Sequence, residues 1–225
     1  PPRAITDKMS ENTMSTRNEM SATLPRTSMN TIDENLKRFF DCIASICGMI
    51  VFSPLFLIIM ILIKCDSKGP VIFSQERIGK GGKPFTLYKF RTMNNSSEAD
   101  GKPKLCQEND ERLTKVGKFL RDHHLDELPQ LWCVARGDMS FVGPRPERKY
   151  YIDKIMEVNP DYERLYELRP GLFSEATLTN GYTGALEKML TRLEMDLDYL
   201  ENRSLWGDTQ IIFKTVTSIL GGKIF

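Results

Sequence analysis

Histidine is almost missing from this chain: there are two in 225 residues, side by side at His123 and His124. That argues against a histidine-based metal site and against a Ser-His-Asp triad. Cysteine is scarce and badly spaced for bonding. The five (Cys42, Cys47, Cys65, Cys106, Cys133) are odd in number and include no Cys-x-x-Cys pair. A disulfide framework and a zinc ribbon are both excluded, and a reducing, cytosol-facing setting fits best. Net charge is close to absent at +1, so nothing global attracts nucleic acid and no nucleic-acid partner is expected. No basic stretch followed by an apolar core stands near the start, so no signal peptide is read there. The Gly81-Gly82 turn lacks the spacing of a phosphate-binding P-loop. Chemistry is left to carboxylates, Lys, Arg and an oxygen-bound hard cation.

What is present suits one domain with appendages. Hydrophobic residues are 40 % and charged residues 27 %, enough to bury a core. Residues 1–35 are polar, without an apolar period, and read as a disordered tail. An uncharged run from Ile43 to Ile63 is long enough for a bilayer. Ser53-Pro54 interrupts it, and an internal proline breaks the helix ladder. Lys37 and Arg38 precede the run, and Lys64 and Lys68 follow it. Both ends therefore prefer the cytoplasm. The residues alone leave a re-entrant helix and a spanning helix equally open.

Beyond Gly69-Pro70, two β-branched and aromatic runs flank a Gly-rich turn and predict a hairpin. Alternation puts Lys89 and Arg91 on one face of the second run, a candidate phosphate clamp. Asn94 to Asp110 reads as a mobile loop, and Leu113 to Leu120 follow a helical period. In Leu125-Asp126-Glu127-Leu128-Pro129-Gln130 two carboxylates stand together between apolar residues. Asp126 is expected to cap a helix, with Pro129 tolerated in its first turn. The dipole there favours both an ionised Asp and a bound phosphate. Arg145 sits between Pro144 and Pro146, one guanidinium on a stiff loop. Helices are expected at about Arg148–Glu157, Asp161–Leu168 and Leu186–Tyr199, then an amphipathic end from Leu205. Between them Arg169-Pro170-Gly171 opens a Gly- and Thr-rich loop to Gly184.

Taken in order, Lys37-Arg38…Asp41, Ser53-Pro54, Gly69-Pro70-Val71-Ile72-Phe73-Ser74-Gln75-Glu76-Arg77-Ile78-Gly79, Lys89-Phe90-Arg91-Thr92-Met93, the Asp126-Glu127 block, Gly137 to Pro146 and Arg169-Pro170-Gly171 resemble one family. It is that of the monotopic phosphoglycosyl transferases, or bacterial sugar transferases, and the likeness runs from about Leu36 to the C-terminus. The resemblance implies an enzyme that moves a sugar-1-phosphate from a UDP-sugar to polyprenol (undecaprenyl) phosphate and releases UMP. It further implies a ping-pong reaction, with Asp126 as nucleophile and Glu127 as ligand to Mg²⁺. Arg145, and less centrally Lys89 and Arg91, would hold phosphate. Ser53 and Pro54 would break a re-entrant helix on the cytoplasmic face of the bacterial inner membrane, where glycoconjugate assembly starts.

The expected fold is α+β and mostly helical: a re-entrant helix over 36–64, then a catalytic domain over 65–225 with a short hairpin and interfacial amphipathic helices. With no large soluble domain read ahead of the membrane segment, the chain resembles the minimal catalytic form; a homo-oligomer is left open. Two features depart from the family pattern. Cys133 replaces the usual Asn, and Leu172 to Tyr182 lacks the family's Gln and Arg, which leaves the sugar unnamed. Two rivals remain. One is a membrane-bound phosphohydrolase with the same acidic site. The other is a tethered scaffold whose basic strand binds anionic lipid, for which Asp126→Asn would be silent.

Overall fold

The computed structural model describes residues 29–94, 110–180 and 186–221. The tail over 1–28, most of the loop between Asn94 and Asp110, and the end of the loop reaching Gly184 lie outside the described residues.

Helix α1 spans Thr31–Val51. The Asn30 side chain accepts from the Asp33 backbone N–H at 2.9 Å, and Asp33 and Glu34 sit in the first turn. This cap starts the helix ahead of the expected boundary, so residues 31–35 are helix rather than tail. Helix α2 spans Ser53–Asp66. Pro54 falls in its first turn, where a missing N–H costs little. Ser53 Oγ donates to the Ile50 carbonyl at 2.8 Å across the break, and the two axes meet at a bend of 60°. Among the described residues no single helix is long and apolar enough to cross a membrane, but the bent pair together meets that test.

The pair is patterned inside out. On α1 the buried residues are Asp41 and Ser45, whereas Phe39, Phe40, Ile43, Ile46 and Ile50 are exposed. On α2 Ile59 and Ile63 pack inward against Phe90 and Leu120, and Leu57, Ile58, Ile61 and Leu62 face out. Water is a poor partner for so continuous an apolar surface.

Strands β1 (Ile72–Ile78) and β2 (Pro84–Phe90) form the expected antiparallel hairpin, paired from Ile72↔Phe90 to Ile78↔Pro84. Gly81 and Gly82 both take φ of 70°, which the tight turn requires. Helix α3 (Lys115–Asp122) is capped by Thr114 and α4 spans Gln130–Arg136. Strand β3 (Ser140–Val142) pairs in parallel with β4 (Gly171–Phe173). Between them lie α5 (Lys149–Val158) and a 3₁₀ segment at Pro160–Glu167, where the sequence predicted an ordinary helix. Helices α6 (Glu175–Asn180), α7 (Leu186–Asn202) and α8 (Leu205–Leu220) complete the described chain. The mostly helical architecture with its small antiparallel sheet agrees with the expected α+β class. The parallel pair falls where loops were expected. Gly143 and Gly171 permit it: a Cβ on Gly171 would lie 2.2 Å from the Gly143 nitrogen.

Both polar ends of the bent pair are fastened to the globular part. Near the start Lys37 Nζ meets Asp208 Oδ2 of α8 at 2.5 Å. Asp41 Oδ2 accepts from Ser140 Oγ at 2.6 Å. Arg38 donates to the Val134 and Ala135 carbonyls at 2.5 and 2.7 Å, capping the end of α4. At the other end Asp66 Oδ2 accepts from the Val116 N–H at 3.0 Å.

Candidate active site

The carboxylate pair sits on a tight turn between α3 and α4. His124 ends the preceding segment in a left-handed conformation, φ 55°, rare for a non-glycine residue. Leu125–Glu127 then form one 3₁₀ turn, and Pro129 leads into α4. A 3₁₀ repeat of three residues brings positions i and i+3 into line. Leu125 and Leu128 accordingly both reach the core of Ile59, Ile63, Phe90 and Leu120. Asp126 is buried there, and the Glu127 side chain keeps 18% of its surface exposed. This corrects the expected geometry: Asp126 is not a helix N-cap, and no side chain caps either segment.

Two basic groups converge on Glu127. Lys89 Nζ, from the end of the hairpin, lies 2.5 Å from Oε1. Arg145 Nη2 lies 3.6 Å from the same oxygen. The two acids are thereby driven apart. Burial pushes the Asp126 carboxyl well above the ordinary Asp range, with Lys89 opposing and the Glu127 charge adding to the rise. For Glu127 burial also acts upward, but Lys89 and Arg145 outweigh it and hold the carboxyl well below the ordinary Glu range. Burial lowers the His124 pKa below the ordinary histidine value. A protected acid of raised basicity thus adjoins a permanently ionised one, an arrangement that separates roles between two carboxylates.

Arg145 is held from both sides. The Gly143 N–H donates to the Phe173 carbonyl at 3.1 Å and the Gly171 N–H to that of Pro144 at 2.8 Å. Beyond it, the Ile78 N–H donates to the Glu147 carbonyl at 3.1 Å. Asp126, Glu127, Lys89 and Arg145 are therefore brought together as the sequence suggested. Arg91 is not part of this group. It lies past the end of β2, is buried, and donates to the carbonyls of Ser67 and Lys68 at 2.7 and 3.1 Å. The expected clamp with Lys89 fails because β2 ends at Phe90 and the alternation stops there.

The likeness read from the motifs extends to most of the chain. The model of the family described as bacterial sugar transferase matches residues 32–222. This chain belongs to the bacterial sugar transferase family. It is 40% identical over 205 residues to a UDP-N-acetylgalactosamine-undecaprenyl-phosphate N-acetylgalactosaminephosphotransferase of Aeromonas hydrophila, covering 91% of this chain and 47% of that protein. It is 43% identical over 190 residues to a UDP-glucose:undecaprenyl-phosphate glucose-1-phosphate transferase of Klebsiella pneumoniae, covering 84% and 41%. With an exopolysaccharide production protein PSS of Rhizobium leguminosarum bv. phaseoli it shares 39% over 195 residues, 84% of this chain and 97% of that one. The chain thus spans less than half the length of the first two.

For a bacterial sugar transferase the donor set around the pair is informative. Among the described residues no group of three or more His, Cys, Asp or Glu side chains converges as a metal cage. Glu127 is nevertheless a hard, ionised oxygen donor with part of its side chain exposed. Such a donor fits a cation like Mg²⁺, which keeps water and substrate oxygens as its other ligands. Sequence reading missed Arg77, Glu147, Arg192 and Asp196, which gather behind Arg145. Glu147 directly follows the Pro-Arg-Pro loop and could have been suspected. Arg192 and Asp196, four residues apart on an ordinary amphipathic helix, gave no signal.

Proposed function

We propose that this protein transfers a sugar-1-phosphate from a UDP-sugar to polyprenol phosphate, working from the cytoplasmic face of the bacterial inner membrane. The observation that carries the reading is buried Asp126 beside half-buried Glu127, with Lys89 and Arg145 converging on Glu127. Asp126 is the nucleophile. Its carboxylate oxygen forms a bond to the phosphorus bearing the sugar. The bridging P–O bond of the diphosphate breaks, and UMP leaves with that electron pair. The oxygen of polyprenol phosphate then attacks the same phosphorus and frees the carboxylate. Splitting the transfer this way lets a soluble donor and a lipid acceptor bind in turn. Arg145 and Lys89 supply positive charge where the diphosphate must sit. Glu127 would hold Mg²⁺, which neutralises phosphate charge when bound.

The inverted patterning of α1 and α2 supports a re-entrant helix. Its apolar surface suits lipid, while polar ties at both ends keep them on one side of a bilayer. Trp206 and Phe213, each 70% exposed on α8, suit the interface beside it. The relatives act on different sugars by name, so UDP-N-acetylgalactosamine and UDP-glucose head the panel to try.

The test is UMP release from a UDP-sugar panel by the purified protein, with and without polyprenol phosphate. One sugar should give stoichiometric UMP before lipid is added and a sugar diphospholipid afterwards. Intact-protein mass spectrometry should then find the sugar-phosphate on Asp126. UMP with free sugar phosphate and no lipid product would identify a hydrolase instead. A strict need for both substrates before UMP appears would remove the covalent step.

A further inference from the structure

Behind Arg145 two guanidiniums hold one carboxylate. Glu147 Oε1 accepts from Arg192 Nη1 at 2.5 Å, and Glu147 Oε2 lies 3.5 Å from Arg77 Nη1. Arg77 Nη1 also donates to the Pro146 carbonyl at 3.2 Å. Arg192 stands in an unexpected place. It projects from α7 with only 6% of its side chain exposed, beside a cluster of Ile155, Tyr162, Met189 and Leu193. A buried guanidinium is costly even when paired, and an apolar residue would pack there at less cost. Packing therefore does not explain it.

Charge does. Glu147 is two residues from Arg145 on a proline-stiffened loop, and both line one small cavity with Arg192 and Asp196. Were Glu147 open, the nearest stable posture for Arg145 would be an ion pair with it, turned away from the dyad. Arg192 and Arg77 occupy both carboxylate oxygens. Their positive charge, felt mutually with that of Arg145, also repels it from behind. In front stands Glu127. We infer that Arg192 is a positioning residue: by occupying Glu147 it keeps Arg145 turned toward Glu127 and the substrate diphosphate. The inference deepens the proposed transferase reading and rests on it. Asp196, one turn along α7, accepts from Ser174 Oγ at 3.2 Å and adds a second acid beside Arg192.

The test is a double-mutant cycle in the full-length protein. Arg192→Met removes the charge at similar length and frees Glu147 Oε1 for Arg145, Arg77 remaining at Oε2. UMP release should fall on the order of 10- to 100-fold, the scale of a misaimed catalytic group. Adding Glu147→Gln removes the competing carboxylate and should restore most of that loss. A structural role for Arg192 predicts the reverse, since the second change would only add damage. No loss in Arg192→Met, or a loss that Glu147→Gln fails to restore, overturns the inference. If Arg192→Met does not fold, Arg192→Lys carries the same cycle, with a several-fold loss and the same rescue expected. A structure of the single variant gives a readout independent of any substrate. Arg145 should have left Glu127 for Glu147, and an unmoved Arg145 overturns the inference even if no UDP-sugar is ever turned over. Inactivity of the unmodified protein on every sugar, by contrast, would count against the transferase reading alone.

Discussion

Asp126 is buried, and its ionised form is what the proposed chemistry needs, so folding and reactivity pull it in opposite directions. The folded protein binds its proton more tightly than the unfolded chain does, since its pKa lies above the ordinary 3.8. The resulting destabilisation is absent below that ordinary value. It grows as pH rises toward the folded value and is complete above it. Asp126→Asn should therefore abolish UMP release and raise the melting temperature at pH 7.5. A tenfold difference in proton affinity between the folded and unfolded chain is worth about 1.4 kcal/mol. The gain should vanish near pH 3, and thermal melts of both proteins across pH will measure it. The raised pKa also sets the acid limb of kcat/KM: activity should fall as pH drops through a value above the usual Asp range, because the protonated acid cannot attack. Glu127, held ionised by Lys89 and Arg145, should contribute no limb near neutrality. Its proposed partner is tested separately: EDTA should abolish turnover and Mg²⁺ restore it, and full activity in chelator would remove the metal from the mechanism.

At the scale of elements, α4 links the bent helix pair to the dyad. Gly137 ends α4 at φ 94°, and Arg38 from α1 caps the carbonyls left open there. A Cβ on Gly137 would stand 3.1 Å from the Arg38 guanidinium, so the left-handed cap and the arginine fit one another. Arg38→Ala should cost about 1–3 kcal/mol for the lost charged hydrogen bonds, seen as a lower melting temperature in detergent. The sequence made some of these elements plain and hid others. The hairpin was legible because alternation and a double glycine announce it locally. The dyad and Arg145 were singled out by the resemblance of their motifs to one family, and the structure places Arg145 3.6 Å from Glu127. The turn carrying the dyad was misread. A 3₁₀ segment with Leu at its first and fourth positions imitates a helix start, and the left-handed His124 has no sequence mark. The parallel β3–β4 pair was invisible because three-residue strands show no period and their partnership is settled by a long connection. Arg91 was misassigned because strand alternation was carried one residue beyond the strand.

Across the whole molecule, the break at Ser53-Pro54 and the polar ties at each end of the bent pair express one constraint. If the break is removed, Ser53→Ala with Pro54→Leu should favour one continuous apolar helix, since an interior proline costs a helix about 3 kcal/mol. A molecule that spans must carry Lys37, Arg38 and Asp41 away from Asp208, α4 and Ser140. Orientation and activity should consequently change together. In cells producing the protein without its native cysteines, a cysteine tag ahead of Thr31 should be closed to an impermeant reagent. In the straightened variant a fraction of tags should become reachable, and UMP release per folded protein should fall by that same fraction. A tag already reachable in the unmodified sequence would defeat the re-entrant arrangement. A straightened protein that is labelled from outside yet fully active would show that the ties between the bent helix pair and the dyad do not matter to catalysis. Adding Asp208→Asn separates the two contributions. It cuts the Lys37 tie without touching the break, so by itself it should weaken the protein thermally while leaving the tag inside. Combined with the straightened break it should raise the labelled fraction, because fewer contacts then hold the first half of the pair to the body.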